Sequence, residues 1–189
     1  MQLGILGGAF DPPHVGHVAL ARAAREHVGF ERLLVHVVAD PGHKSTFAPA
    51  NARLELARLA FAEIPGAEFE LDPHARTVDF LEEREPADAV FLVGADELAA
   101  FSTWTRPGRV LELVTLGVAA RPGVPEVELR EARARLPTPD RIIFFELDPV
   151  AVSSTEIRAR VARDEPIDGL VPAAVADAIV RLGLYRRPE

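Results

Sequence analysis

Six short apolar runs, separated by longer segments of helical period, leave this chain few folds to choose from. The runs are Leu3–Leu6, Arg32–Val38, Glu68–Leu71, Ala89–Val93, Thr115–Ala120 and Ile142–Leu147, and several are apolar almost without a break. Between them, helices are predicted at Val15–Val28, at Asn51–Ile64 with Leu54, Ala57, Phe61 and Ile64 on one face, and at Val78–Arg84. A helical stretch through Val110–Leu113 and a charged helix at Glu126–Leu136 complete the alternation. A strand that is apolar on both sides must be covered on both sides, so the pattern predicts an α/β parallel sheet with helices on each face. Ligands of such sheets bind beyond the carboxyl ends of the strands. The residues that follow each strand therefore carry the functional information.

The last forty residues, 150–189, carry no strand pattern. Helices are predicted at Ser154–Asp164 and Val171–Leu182, the second with Val171, Val175, Ala178, Ile179 and Leu182 as an apolar stripe and Gly183 as a stop. With 189 residues, 48% of them hydrophobic, the chain suits one domain with a small C-terminal helical part and a frayed tail at Arg186–Glu189. The net charge of -8 argues against broad electrostatic binding of nucleic acid, though not against a local phosphate pocket. The absence of cysteine excludes disulfides, thiolate metal sites and cysteine nucleophiles. The N-terminus lacks the pattern of a signal peptide, and no apolar run approaches the roughly 18 residues of a membrane span. A soluble cytoplasmic protein is the expectation. Lys44 is the one lysine in an arginine background.

The first strand ends directly in Gly7-Gly8-Ala9-Phe10-Asp11-Pro12-Pro13-His14-Val15-Gly16-His17. Two glycines let a ligand approach the backbone where a Cβ would collide. The prolines stiffen the entry into a helix whose N-terminus offers unpaired N–H groups and a positive dipole end, a setting suited to phosphate. His14 and His17, three apart, can share a face there and donate to the same oxygens. The same pair could bind a metal, with Asp11 the only other candidate ligand close by in sequence, and phosphate is the preferred reading. Neither a Walker loop nor a G-x-G-x-x-G pattern is present. Near the other end, Ser153 and Glu156 form a capping-box pattern in Val152-Ser153-Ser154-Thr155-Glu156-Ile157-Arg158. Its hydroxyls, free N–H groups and Arg158 could also hold a polyphosphate.

The first segment resembles the G-x-F-D-P-x-H-x-G-H signature of the nucleotidyltransferase superfamily, and the second resembles its I-S-S-T-x-I-R motif with Val152 for the leading isoleucine. The resemblance implies a Rossmann-like doubly wound sheet and AMP transfer from ATP. It implies that His14, His17 and Arg158 are catalytic and that Gly7, Gly8, Ala9, Phe10, Gly16, Ser153, Ser154 and Thr155 contact ATP. Val93-Gly94-Ala95-Asp96-Glu97-Leu98 with Phe101-Ser102-Thr103-Trp104 is similar to the G-x-D-x-L…F-x-x-W segment of nicotinate-nucleotide adenylyltransferases. By that likeness Gly94 and Asp96 contact ATP, and Trp104 stacks on the pyridine of nicotinate mononucleotide; its alternative is a core residue. Asp40-Pro41-Gly42-His43-Lys44 looks like the family's P-P-H-K loop, and Ala120-Arg121-Pro122-Gly123 like its R-P-G turn. His43, Lys44, Arg121 and Thr77 are accordingly expected at the substrate. The family's S-Y-T segment is only partly matched, since His74-Ala75-Arg76-Thr77 keeps the threonine and lacks the tyrosine. A Mg²⁺ ion is expected on the ATP phosphates, mostly water-coordinated, without a dedicated protein site. Rival readings are a pantetheine-phosphate adenylyltransferase, a non-catalytic nucleotide-sensing module and a fragment of a class I aminoacyl-tRNA synthetase.

Overall fold

The computed structural model describes residues 2–42, 46–120, 123, 125–134 and 138–186. Its strands are β1 (Leu3–Gly8), β2 (Arg32–Val38), β3 (Ala67–Asp72), β4 (Ala89–Val93), β5 (Thr115–Ala120) and β6 (Ile142–Glu146). The helices are α1 (Val15–Val28), α2 (Ala50–Ala60), α3 (Thr77–Arg84), α4 (Ala95–Ala100), α5 (Pro107–Leu113), α6 (Glu126–Ala134), α7 (Ser154–Val161) and α8 (Ala173–Arg181). All six strands pair in parallel in the order β3-β2-β1-β4-β5-β6. This is the doubly wound, Rossmann-like arrangement, and its order reverses between β1 and β4.

Alternate residues of each strand serve opposite cores. Leu6, Val35, Val37, Val90 and Leu92 pack on one side with α1, α2, α7 and α8. Ile5, Leu34, Phe91, Val93, Leu116 and Val118 pack on the other side with α3 and α5. The second face of the sheet is thus as dry as the first, which is why the strands read as unbroken apolar runs.

Boundaries moved where local chemistry overrode periodicity. The helix expected to reach Ile64 stops at Ala60, with Phe61 at its C-cap and Ile64 buried beyond it. Leu54 is only half-buried, and Arg53 occupies the buried face with Leu56, Ala57 and Ala60. The last helix starts at Ala173, because Pro172 caps it in an extended conformation, and Leu182 emerges to 37% exposure. Helix α4, six residues long with only Leu98 packed on the core, was not expected. The ends of two predicted elements, Leu136 and Arg187–Glu189, lie outside the described residues. No helix among the described residues is long and apolar enough to cross a membrane.

Candidate active site

Strands β1 and β4 part company at their carboxyl ends, and the segments leaving them form the walls of a crevice. Strand β1 turns sharply at Phe10, whose φ of 49° lies in the left-handed region, disfavoured for a bulky residue. Its buried ring is wedged edge-on against Phe61 at 5.8 Å and His17 at 5.2 Å, which holds the turn. Gly7 has a reason internal to the fold: a Cβ there would collide with the imidazole of buried His36. At Gly8 a Cβ would press on the Phe10 ring at 3.3 Å.

Helix α1 begins one residue after His14, its N-cap. The backbone N–H of His14 donates to Nδ1 of His17 at 3.1 Å, and the two rings stack 3.7 Å apart at 28°. An accepting Nδ1 places the proton of a neutral His17 on Nε2. Burial lowers His14 to about 4, so its ring is neutral near pH 7. Gly16 is required by this packing. A Cβ on it would stand 3.1 Å from Nδ1 of His14 and 3.2 Å from Cγ1 of Val152.

Val152 belongs to the second motif, which the fold brings against the first. Ser153 caps α7 by accepting the N–H of Glu156 at 3.1 Å, while the Glu156 carboxylate turns to Arg160 at 2.9 Å instead of completing a capping box. The Ser154 hydroxyl donates to the Pro12 carbonyl at 2.8 Å. Arg158 donates to the Asp11 carbonyl at 2.7 Å and to Thr155 Oγ1 at 3.2 Å, and its guanidinium lies 4.4 Å over the Phe47 ring. Two stacked imidazoles, a helix N-terminus, hydroxyls and one guanidinium therefore converge, a donor-rich set matched to a polyphosphate.

Three residues to which sequence reasoning gave no bracing role hold this assembly. Asp11, 4% exposed, accepts hydrogen bonds from the N–H groups of Phe47 and Ala48 and from the Tyr185 hydroxyl. Arg53 is fully buried and donates to the carbonyls of Ala9, Val38, Ala39 and Ala48, tying the ends of β1 and β2 together. Desolvation lowers its pKa from the ordinary arginine value. The available signal was an arginine three and four positions before Leu56 and Ala57, hence on their face. Asp11 offered no signal beyond its place in the first motif, and the position of Tyr185 near the chain end pointed to no partner.

The far wall is built differently. Gly94 caps α4 at the end of β4, and Asp96 is exposed in its first turn. Trp104 is half-buried, tilted on Phe101 at 5.2 Å and edge-on to Phe91 at 6.1 Å. Arg106 reaches Asp79 and Glu82 of α3 at 2.8 and 2.9 Å, joining the Trp104 segment to the helix that Thr77 opens. Before α3, Asp72 accepts both the backbone N–H and the ring of His74, at 2.9 and 2.8 Å, and His74 also meets Glu83 at 3.1 Å. The Asp72 hydrogen bond raises the pKa of His74. Burial would raise Asp72, but the partners His36 and His74 outweigh it and hold the carboxyl below its ordinary value. His43, Lys44 and Arg121 lie outside the described residues.

A strand order that reverses beside a donor-rich helix start defines a class, and the sequence falls in it. Residues 5–160 match the cytidylyltransferase-like family, to which the chain belongs. Within that class it belongs with the nicotinate-nucleotide adenylyltransferases. A Thermus thermophilus relative named "Probable nicotinate-nucleotide adenylyltransferase" is 40% identical, covering 98% of this chain and all of its own length. A Rubrobacter xylanophilus relative of the same name is 38% identical over 98% of this chain and 92% of its own. The fold is matched by the Plasmodium falciparum nicotinic acid mononucleotide adenylyltransferase complexed with NaAD, at a TM-score of 0.78, 16% identity and 97% coverage of both chains.

Proposed function

We propose that the chain transfers AMP from ATP to nicotinate mononucleotide, giving deamido-NAD and pyrophosphate. The observation that carries this reading is the meeting of the two phosphate motifs. Arg158 and Asp11 stand 147 positions apart and share a 2.7 Å hydrogen bond beside the stacked histidines. The substrate phosphate is the nucleophile, so the protein needs no covalent group; it must align the phosphates and stabilise charge. His17, with Nε2 as donor, and the neutral His14 meet the reacting phosphate as hydrogen-bond donors. The N-terminus of α7, with Ser153, Ser154, Thr155 and Arg158, holds the part of ATP that leaves as pyrophosphate. Gly7, Gly8, Ala9, Phe10 and Gly16 shape the loop under the nucleotide, and Gly94 and Asp96 take the adenosine. Trp104 offers a ring face to the pyridine, with Thr77, His43, Lys44 and Arg121 toward the mononucleotide.

Nucleotidyltransferases generally use a divalent ion with ATP, and we assign Mg²⁺ here. Among the described residues no group of three or more His, Asp or Glu could hold a metal. The Asp11 carboxylate is committed to three donors. A Mg²⁺ ion carried in with ATP would neutralise polyphosphate charge beside Arg158 and the α7 N-terminus. The pantetheine-phosphate and non-catalytic alternatives are not favoured by the relatives. The test is pyrophosphate release from Mg-ATP with nicotinate mononucleotide, nicotinamide mononucleotide and phosphopantetheine offered separately. Release is expected with the nicotinate nucleotide, preferred over the amide. Release with phosphopantetheine alone would overturn the assignment.

A further inference from the structure

Asp11 and Tyr185 contact no substrate in the scheme above, yet they meet at the centre of the phosphate side. The Asp11 carboxylate accepts from the N–H of Phe47 at 2.6 Å, the N–H of Ala48 at 3.1 Å and the Tyr185 hydroxyl at 2.8 Å. Such a set of donors is what makes a buried carboxylate tolerable. The carbonyl of the same residue accepts from Arg158, and the ring of Phe47 lies under the Arg158 guanidinium. Arg158 is thus held on one side by the Asp11 backbone and on the other by a ring whose place the Asp11 carboxylate sets. Phe47 is 66% exposed, so core packing does not account for its position. Tyr185 arrives from the far end of the chain, 174 positions away. Burial, and then the charge of Asp11, push its phenol above the ordinary tyrosine range, so it remains a donor.

We propose that Asp11 and Tyr185 form a positioning pair: their hydrogen bond sets the Phe47–Ala48 segment and, through it, the orientation in which Arg158 meets the polyphosphate. The proposal rests on the reading of Arg158 as a holder of the pyrophosphate half of ATP. A plain C-terminal anchor would loosen the fold when cut. A positioning pair leaves the fold and weakens the grip on one part of one substrate.

Tyr185→Phe keeps the ring and removes only the hydroxyl. In the full chain, its Kd for a non-hydrolysable ATP analogue, measured by calorimetry, is expected to weaken about tenfold, the size of one hydrogen bond to a charged group. The KM for pyrophosphate in the reverse reaction should rise similarly, while the Kd for AMP and the KM for nicotinate mononucleotide stay within about twofold. Phe47→Ala alters an exposed ring without touching the core and should give the same signature. The double variant should fall no further than the worse single one, because both act through one arrangement. A Tyr185→Phe protein with a lower Tm but unchanged analogue and pyrophosphate affinities is merely missing an anchor, and that result overturns the proposal. Equal losses for AMP and the ATP analogue would overturn it too, because the pair would then act on the whole pocket. Intact analogue affinity in Arg158→Ala would overturn the reading of Arg158 itself, and the proposal with it.

Discussion

On one wall of the crevice, buried Asp11 and Arg53 and half-buried Tyr185 are bonded to groups drawn from four separate parts of the chain. On the other, Arg106, Asp79, Glu82, His74 and Glu83 pair along the surface. The contrast follows from what each wall must do. An adenylyl transfer needs donors fixed before the substrate arrives, because reorganisation at the moment of reaction adds to the barrier. Buried, fully satisfied hydrogen bonds supply that rigidity. Surface ion pairs are weak and screened, so the wall they hold can be rebuilt with little loss of stability. This wall also holds the segment His74-Ala75-Arg76-Thr77, whose turn is pinned by Asp72 and His74.

The sharpest break of the comparison lies at the stacked histidines. His17→Ala should lower kcat by about a thousandfold or more, as loss of a preorganised donor to a developing charge does, with Tm nearly unchanged. Normal turnover in the purified variant would remove His17 from the chemistry. Arg53→Met should leave four carbonyls, that of Ala48 buried and the others half-buried, without their donor and cost about 3 kcal/mol in urea denaturation. A surface-like loss there would show that the phosphate wall is not braced as described.

His14 extends the same contrast to pH. Its folded pKa, about 4, lies below the unfolded value of 6.5, so the unfolded chain takes up the proton first. The associated stability is complete above pH 6.5 and is lost as pH falls toward 4. Allowing for partial exposure, the loss is about 2 kcal/mol. A His14→Gln variant should flatten that part of the stability–pH curve; an unchanged slope would assign the acid sensitivity elsewhere. Trp104→Ala should raise the KM for the mononucleotide about tenfold with kcat little changed, the size expected when a ring loses an aromatic partner. A fall in Tm with an unchanged KM would instead make it a core residue of the far wall. The smallest effect is expected from Glu83→Gln, which removes an exposed partner of His74 and should leave the KM for the mononucleotide within about twofold.

Much of this was legible in the residue order. The strands β2, β4 and β5 and helix α1 begin and end where apolar runs and helical period place them. Their cause is local: one side chain every two or every 3.6 residues facing a core. His14 with His17, and Ser153 with Arg158, were visible because a helix start gathers neighbours three to five positions apart. Helix α4 was not legible, since of its six residues only Leu98 turns toward the core and a single contact makes no period. The capping box at Ser153 was only half right, because Glu156 found Arg160 on the outer face of the same helix.

Sequence alone thus determined the layered α/β architecture, the two phosphate motifs and the exclusion of cysteine chemistry, all of them consequences of composition and short-range spacing. Only the tertiary structure decided that Tyr185 bonds Asp11, that Arg53 braces four carbonyls, that His36 fills the space left by Gly7, and that Arg158 rests on Phe47. These contacts join segments from opposite ends of the chain or from neighbouring strands. Their existence depends on the strand order, which brings the carboxyl ends of β1 and β2 beside the start of α7. A contact across such distances leaves no period in the sequence, so it becomes readable only when the sheet has been assembled.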